Sequence, residues 1–164
     1  MTSLVTKQAL SQFTINLSRG FVYRDGGIRS VNGILANADP AQITSVGDMV
    51  KLVANPNGDN EAFGEVTATD TSGYGFVRKN LKQTEYKTKD LYGNCEYIAV
   101  ARNYDVMVGV ANSALEVGDP LVYLQASGKL ESAAQEEPDE GIIACGIAVS
   151  RAAPGELVKF EIRL

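Results

Sequence analysis

The side chains able to do chemistry are few in this chain and poorly arranged for it. Histidine is absent from the 164 residues. That removes the commonest general base and transition-metal ligand, and it makes Ser-His-Asp and Cys-His sites impossible. The densest carboxylate cluster is Glu136-Glu137-Pro138-Asp139-Glu140. Consecutive acids around a proline predict a solvated loop, because a catalytic pair needs two environments that push its pKa values apart. Asn55, Asn57 and Asp59 resemble a calcium loop only loosely, since the ordered acids and the closing bidentate Glu are missing; a tight polar hairpin is expected. Gly73-Tyr74-Gly75 begins like a dinucleotide fingerprint, but Arg78 stands where the third glycine belongs and no βαβ pattern surrounds it. Neither a phosphate loop nor a Gly-x-Ser-x-Gly elbow occurs. The expectation is a protein that is not an enzyme, with no catalytic residues, no cofactor and no metal.

Cys95 and Cys145 form no Cys-x-x-Cys pair, and both sit in apolar runs. Reduced core thiols are expected in preference to a disulfide. Arg78, Lys79 and Lys82, continued by Lys87 and Lys89, make the one basic concentration, with Tyr74, Phe76 and Tyr86 close by. It reads most simply as a solvated connection and next as an electrostatic docking patch for an acidic protein surface. A nucleic-acid groove is the third reading. The net charge of -5 opposes it, since non-specific binding to nucleic acid is driven by cationic side chains.

The elements that must carry these residues are predominantly strands. Hydrophobic residues make up 45% and charged residues 21%, an ordinary globular balance with material for one core or for two small modules sharing one. Short apolar runs at Asp48–Val53, Phe63–Thr67, Tyr74–Val77, Tyr97–Ala101 and Val106–Ala111 alternate with turn chemistry such as Asn55-Pro56-Asn57-Gly58-Asp59 and Ser72-Gly73. That rhythm predicts a mainly β protein, a small barrel or sandwich with few helices. The one helical candidate is Leu81–Tyr92, without a clean period. The start lacks the apolar centre of a secretory signal, and no run approaches the length of a membrane span; synthesis in a cytoplasm and no membrane partner are expected.

Residues 1–42 are rich in Ser, Asn, Gly and Gln and broken by Gly26-Gly27 and Asp39-Pro40, which predicts an extended arm. Its Phe13, Phe21 and Tyr23 need a surface to cover them: a partner's, or the chain's own barrel. Residues 43–164 form the expected barrel-like domain. Within it Val46-Gly47-Asp48-Met49-Val50 recurs 71 residues later as Val117-Gly118-Asp119-Pro120-Leu121. Each copy passes through a strand and a Gly-bearing turn, Gly58 or Gly128, to a Gly-led strand at Gly64 or Gly146. Two related units, 43–105 and 106–164, would explain the echo; Val-Gly-Asp is also a common turn that can recur by chance. In such a turn Gly takes a positive φ and the Asp carboxylate caps backbone N–H groups.

From Val117-Gly118-Asp119 through Ser127-Gly128-Lys129, Gly146-Ile147-Ala148 and Pro154-Gly155-Glu156-Leu157-Val158, the order of turns and strands resembles the capsid cement, or head decoration, proteins of tailed bacteriophages. The likeness covers residues 106–164 and, through the repeat, 43–70. It implies a β-tulip-like barrel whose structural turns fall at Gly47, Asp48, Gly118, Asp119, Gly128, Gly146 and Gly155. It also implies a homo-oligomer, dimer or trimer, that binds the outer surface of a phage head and clamps neighbouring major capsid subunits. The alternative is a β-barrel binding module for a small ligand or surface carbohydrate.

Overall fold

The computed structural model describes residues 18–24, 26, 31–55, 58, 61–79 and 90–164. These contain strands and turns and no helix. The strands are β1 (Val22–Arg24), β2 (Val31–Leu35), β3 (Thr44–Ser45), β4 (Met49–Val53), β5 (Ala62–Glu65), β6 (Gly75–Val77) and β7 (Leu91–Tyr92), then β8 (Tyr97–Ala101), β9 (Val106–Val110), β10 (Pro120–Leu124), β11 (Lys129–Ser132), β12 (Ile142–Ala148) and β13 (Leu157–Ile162). β13 shows why they form. Its Val158, Phe160 and Ile162 point inward and are buried while Leu157, Lys159 and Glu161 point away, the two-residue period of a half-buried strand. β9, apolar throughout, is buried along nearly its whole length. Of the helix expected over Leu81–Tyr92, residues 81–89 lie outside the described residues, and Leu91–Tyr92 pairs as a strand with β3.

A closed barrel and a larger sheet share one connectivity. The first unit is the barrel β2-β8-β6-β4-β5, closed by parallel pairing of β5 with β2. The second runs β9-β13-β12-β10-β11, and a parallel bridge from Ala111 to Leu130 brings its ends together. Their registers coincide. Leu52 opposes Phe63 as Tyr123 opposes Leu130, Val50 opposes Gly75 as Leu121 opposes Gly146, and Ile34 opposes Tyr97 as Val110 opposes Leu157. Loop bonds coincide too. Leu35 N donates to Glu96 O and Ala111 N to Glu156 O, both at 2.9 Å; Cys95 N donates to Leu35 O and Gly155 N to Ala111 O, both at 2.8 Å. The described strands thus make two five-strand units of matching connectivity and register.

The repeat alignment expected from the sequence needs two corrections. Gly146 is matched by Gly75, not Gly64. A Cβ at Gly146 would lie 2.0 Å from Glu161 O, and one at Gly75 would lie 2.4 Å from Ala101 O, so both strands need a bare backbone where the neighbouring carbonyl approaches. The first unit also starts at Val31, inside the expected arm. Leu35 is fully buried in that barrel, and the glycine-rich flank hides the strand. Of the remaining arm, β1 pairs with β9 at the edge of the second unit, while Phe13 and the other residues before 18 lie outside the described residues.

The first unit encloses Leu35, Val50, Phe63, Val77, Ile98 and Val100. The second core includes Leu121, Leu130, Ile143, Val158, Phe160 and Ile162, and Met49, Val66, Phe76 and Ala101 of the first unit enter it. Phe76 sets the joint, with ring edges against Tyr123 at 5.6 Å and Phe160 at 5.3 Å between centroids.

Candidate functional site

Several of the described acids that stand directly before strands are turn locks. In five of these turns the third residue has positive φ and the fourth is acidic: Gly47-Asp48, Cys95-Glu96, Tyr104-Asp105, Gly118-Asp119 and Gly155-Glu156. Each acid donates its backbone N–H to the carbonyl three residues back, at Ser45, Gly93, Arg102, Glu116 and Ala153. Its carboxylate accepts the N–H of that same residue. The reciprocal pair satisfies backbone groups that would otherwise face the strand end unpaired.

Asp48 does more than hold its turn. Oδ2 accepts Ser45 N at 2.8 Å, and Oδ1 accepts Arg19 Nη2 at 2.8 Å. Arg19 also donates to Val46 O and, across the seam between units, to Gly128 O, each at 3.0 Å. Beside Asp48 lies Glu65, at the end of β5. Burial, then the hydrogen bond and negative charge of Asp48, push Glu65 up to about 8, against the opposing pull of Arg19 and Thr44. Gln42 Nε2 donates to its Oε2. Tyr123, held well above its usual range mainly by burial and then by Asp48, faces them from β10. A polar cavity of about 140 Å³ lies between, lined by Asp48, Glu65, Tyr123, Gln125, Ser127 and Gly128.

A larger groove of about 720 Å³ opens on the first unit, lined by Leu35, Asn37, Lys51, Val53, Gly64, Asn94 and Cys95, with Gln125 reaching in from the second. Two of its amides are engaged within the fold: Asn37 Nδ2 donates to Thr44 Oγ1, Asn37 Oδ1 accepts Glu65 N, and Asn94 Oδ1 accepts Asn37 N. Lys51 pairs with Asp70 at 2.7 Å. The second-unit counterpart of Gly64 is Glu131, whose buried carboxylate accepts Asn112 Nδ2 at 2.7 Å, Ser132 N at 2.8 Å and the Ser113 hydroxyl. Burial alone would raise Glu131; these bonds outweigh it and hold the group below the usual carboxylate range.

The residues singled out from sequence fall as follows. Gly47, Gly118, Gly128 and Gly155 take φ of 87°, 94°, 70° and 81°, and Gly146 sits at the irregularity between β10 and β12. Phe21 is half-buried, and Tyr23 is exposed with Lys159 Nζ 3.8 Å above its ring. Arg78 is half-buried and donates its N–H to Ala99 O. Lys79 reaches Asp90 at 3.2 Å and Ser18 Oγ at 2.9 Å; Lys82 lies outside the described residues. The acidic run 136–140 is exposed throughout. Both thiols are free. Cys145 is buried as expected, but Cys95 is exposed, because it takes the turn position that Gly155 fills in the other unit, with φ 71°. Sequence reasoning passed over Arg19, Asn37, Glu65 and Glu131. A charge inside a strand pattern, as in Gly64-Glu65-Val66 and Leu130-Glu131-Ser132, was the available signal for the last two.

The fold and the seam define a protein made of paired β-units with five acids in backbone-holding turns. No protein-family model matches the chain, and no curated protein matches it. Among solved structures it is similar to the N base of the head fiber gp8.5 of bacteriophage phi29, at 16% sequence identity over 82% of this chain and 93% of that one, with a TM-score of 0.47. At that distance nothing about activity follows from the likeness.

Proposed function

We propose that the protein is a structural component of a bacteriophage virion, bound to the outer surface of the head, where it cements neighbouring major capsid subunits as a homo-oligomer without catalysing a reaction. The observation that carries this reading is the use made of the acids. In the stretch that resembles the cement proteins, Asp119 and Glu156 lock turns and Glu131 is enclosed by donors. At the seam, Asp48 has both oxygens engaged by Arg19 and Ser45 N, so this acid too holds structure together. The remaining working parts are surfaces. Ile43 and Leu91, each 57% exposed on or beside the β3–β7 ribbon, offer apolar surface that a capsid subunit would cover.

Co-sedimentation with undecorated heads tests this. Saturable binding with a gain in the heads' heat resistance is expected, and absence of both rejects the reading. The groove favours a second reading, a module for a small ligand or glycan; retention on a glycan array without affinity for heads would select it.

A further inference from the structure

Residues 18–24 and Gly26 precede both units in the chain, yet they lie across the seam and bond to each. On the first-unit side Arg19 donates to Val46 O and Asp48 Oδ1, and Gly20 O accepts the N–H of Lys79 at 2.9 Å. On the second-unit side the same guanidinium donates to Gly128 O. Gly20 N donates to Val108 O, and Phe21 O accepts Val108 N, both at 2.9 Å. β1 then pairs Val22 with Met107 and Arg24 with Val106, Val22 packs against the second core, and Gly26 N ends on Asp105 Oδ1 at 2.8 Å. Bare backbone makes room for the crossing: a Cβ at Gly20 would lie 2.6 Å from Val46 Cβ, and one at Gly47 would lie 2.6 Å from Arg19 Cγ. Of these partners the nearest along the chain is Val46, so the bonds owe nothing to the residues that join the segment to β2.

We propose that the cleft between the units is a strand-receiving site: the chain's own residues 18–26 fill it here as a strap that fastens the units, and the same segment from a second copy can fill it in turn. The site has the two parts that strand recognition needs. The exposed edge of β9 offers main-chain hydrogen bonds to any extended segment, and the side-chain contacts select which one. Selection falls on Arg19 and Gly20. The planar fork of an arginine can meet oxygens from both units at once, as a lysine's single ammonium cannot, and only a residue without a side chain passes Val46. Exchange of an identical element between copies preserves every bond and is a low-cost route to an oligomer. This part of the inference deepens the homo-oligomer proposed above and rests on that reading; the strap's place in the seam does not.

The test uses the full chain with a protease recognition sequence inserted between Gly27 and Ile28, cut after folding. The amino-terminal fragment should stay with the remainder on size exclusion. A fluorescent peptide of residues 18–26, added in excess, should displace it, with a rise in anisotropy and in the thermal midpoint. The same peptide carrying Arg19→Ala should bind about tenfold or more weakly, the loss expected for hydrogen bonds from a charged group. The uncut chain, whose own strap occupies the cleft, should take up no peptide. Absence of uptake by the cut protein overturns the receiving site, as does equal uptake of the Arg19→Ala peptide or uptake by the uncut chain. If the cut protein unfolds as its fragment leaves, refolding on addition of the peptide supports the site and failure to refold overturns it. No capsid enters the experiment, so its failure leaves the proposed role on the phage head to the co-sedimentation test.

Discussion

The two units have the same strand circuit and registers and very different contents. Leu52 is 51% exposed where its counterpart Tyr123 is 4% exposed, because only the second unit has Phe76 against that position. Gly64 leaves a groove where Glu131 fills the equivalent place. The nearby acids titrate in opposite directions, Glu65 raised and Glu131 lowered. What persists is the backbone chemistry: a positive-φ residue followed by an acid, and a bare glycine where a carbonyl approaches. The circuit is therefore held by turns and close backbone contacts, while side-chain content was free to diverge toward a seam on one side and a groove on the other.

The largest effect should come from removing the joint. Phe76→Ala deletes a ring that belongs to the first unit but packs in the core of the second, and should cost about 3–5 kcal/mol, read from urea unfolding. A cost under about 1 kcal/mol, as for a surface substitution, would mean the units stand independently. Next in size are the matched turn acids. Asp119→Ala loses one lock and should cost about 0.5–2 kcal/mol, by analogy with a helix cap. Asp48→Ala should cost more, because it also releases Arg19 from the seam; equal losses would show that Arg19 contributes nothing there. The smallest effect is a gain. Cys95→Gly relieves a positive φ that Gly155 carries without strain, worth about 0.5 kcal/mol in thermal unfolding once the flexibility of glycine is set against it. Gly155→Ala should lose a similar amount; if both changes destabilise, the two turns are not equivalent.

Much of this was written locally. The apolar runs and the turn residues between them were enough to predict a β fold, and the recurrence of Val-Gly-Asp pointed to a repeat. The alignment after that point failed because hairpin lengths differ between units, so Gly64 looked like the partner of Gly146. Only pairing register, which depends on which strands meet, identifies Gly75. Strand β2 was missed because glycine and asparagine around it depress any apolar signal, although closure of the barrel buries Leu35 completely.

Composition and turn chemistry alone determined that this chain forms short strands with acid-locked bends, because those preferences arise within four or five neighbouring residues. Tertiary structure alone decided which acids become special. Glu65 and Glu131 are ordinary glutamates in the sequence. The first has its proton affinity raised by burial beside Asp48, and the second has it lowered by three donors around its carboxylate. Both environments draw on groups well separated along the chain, Asp48 for Glu65 and Asn112 and Ser113 for Glu131, and electrostatic energy depends on separation in space rather than on order in sequence.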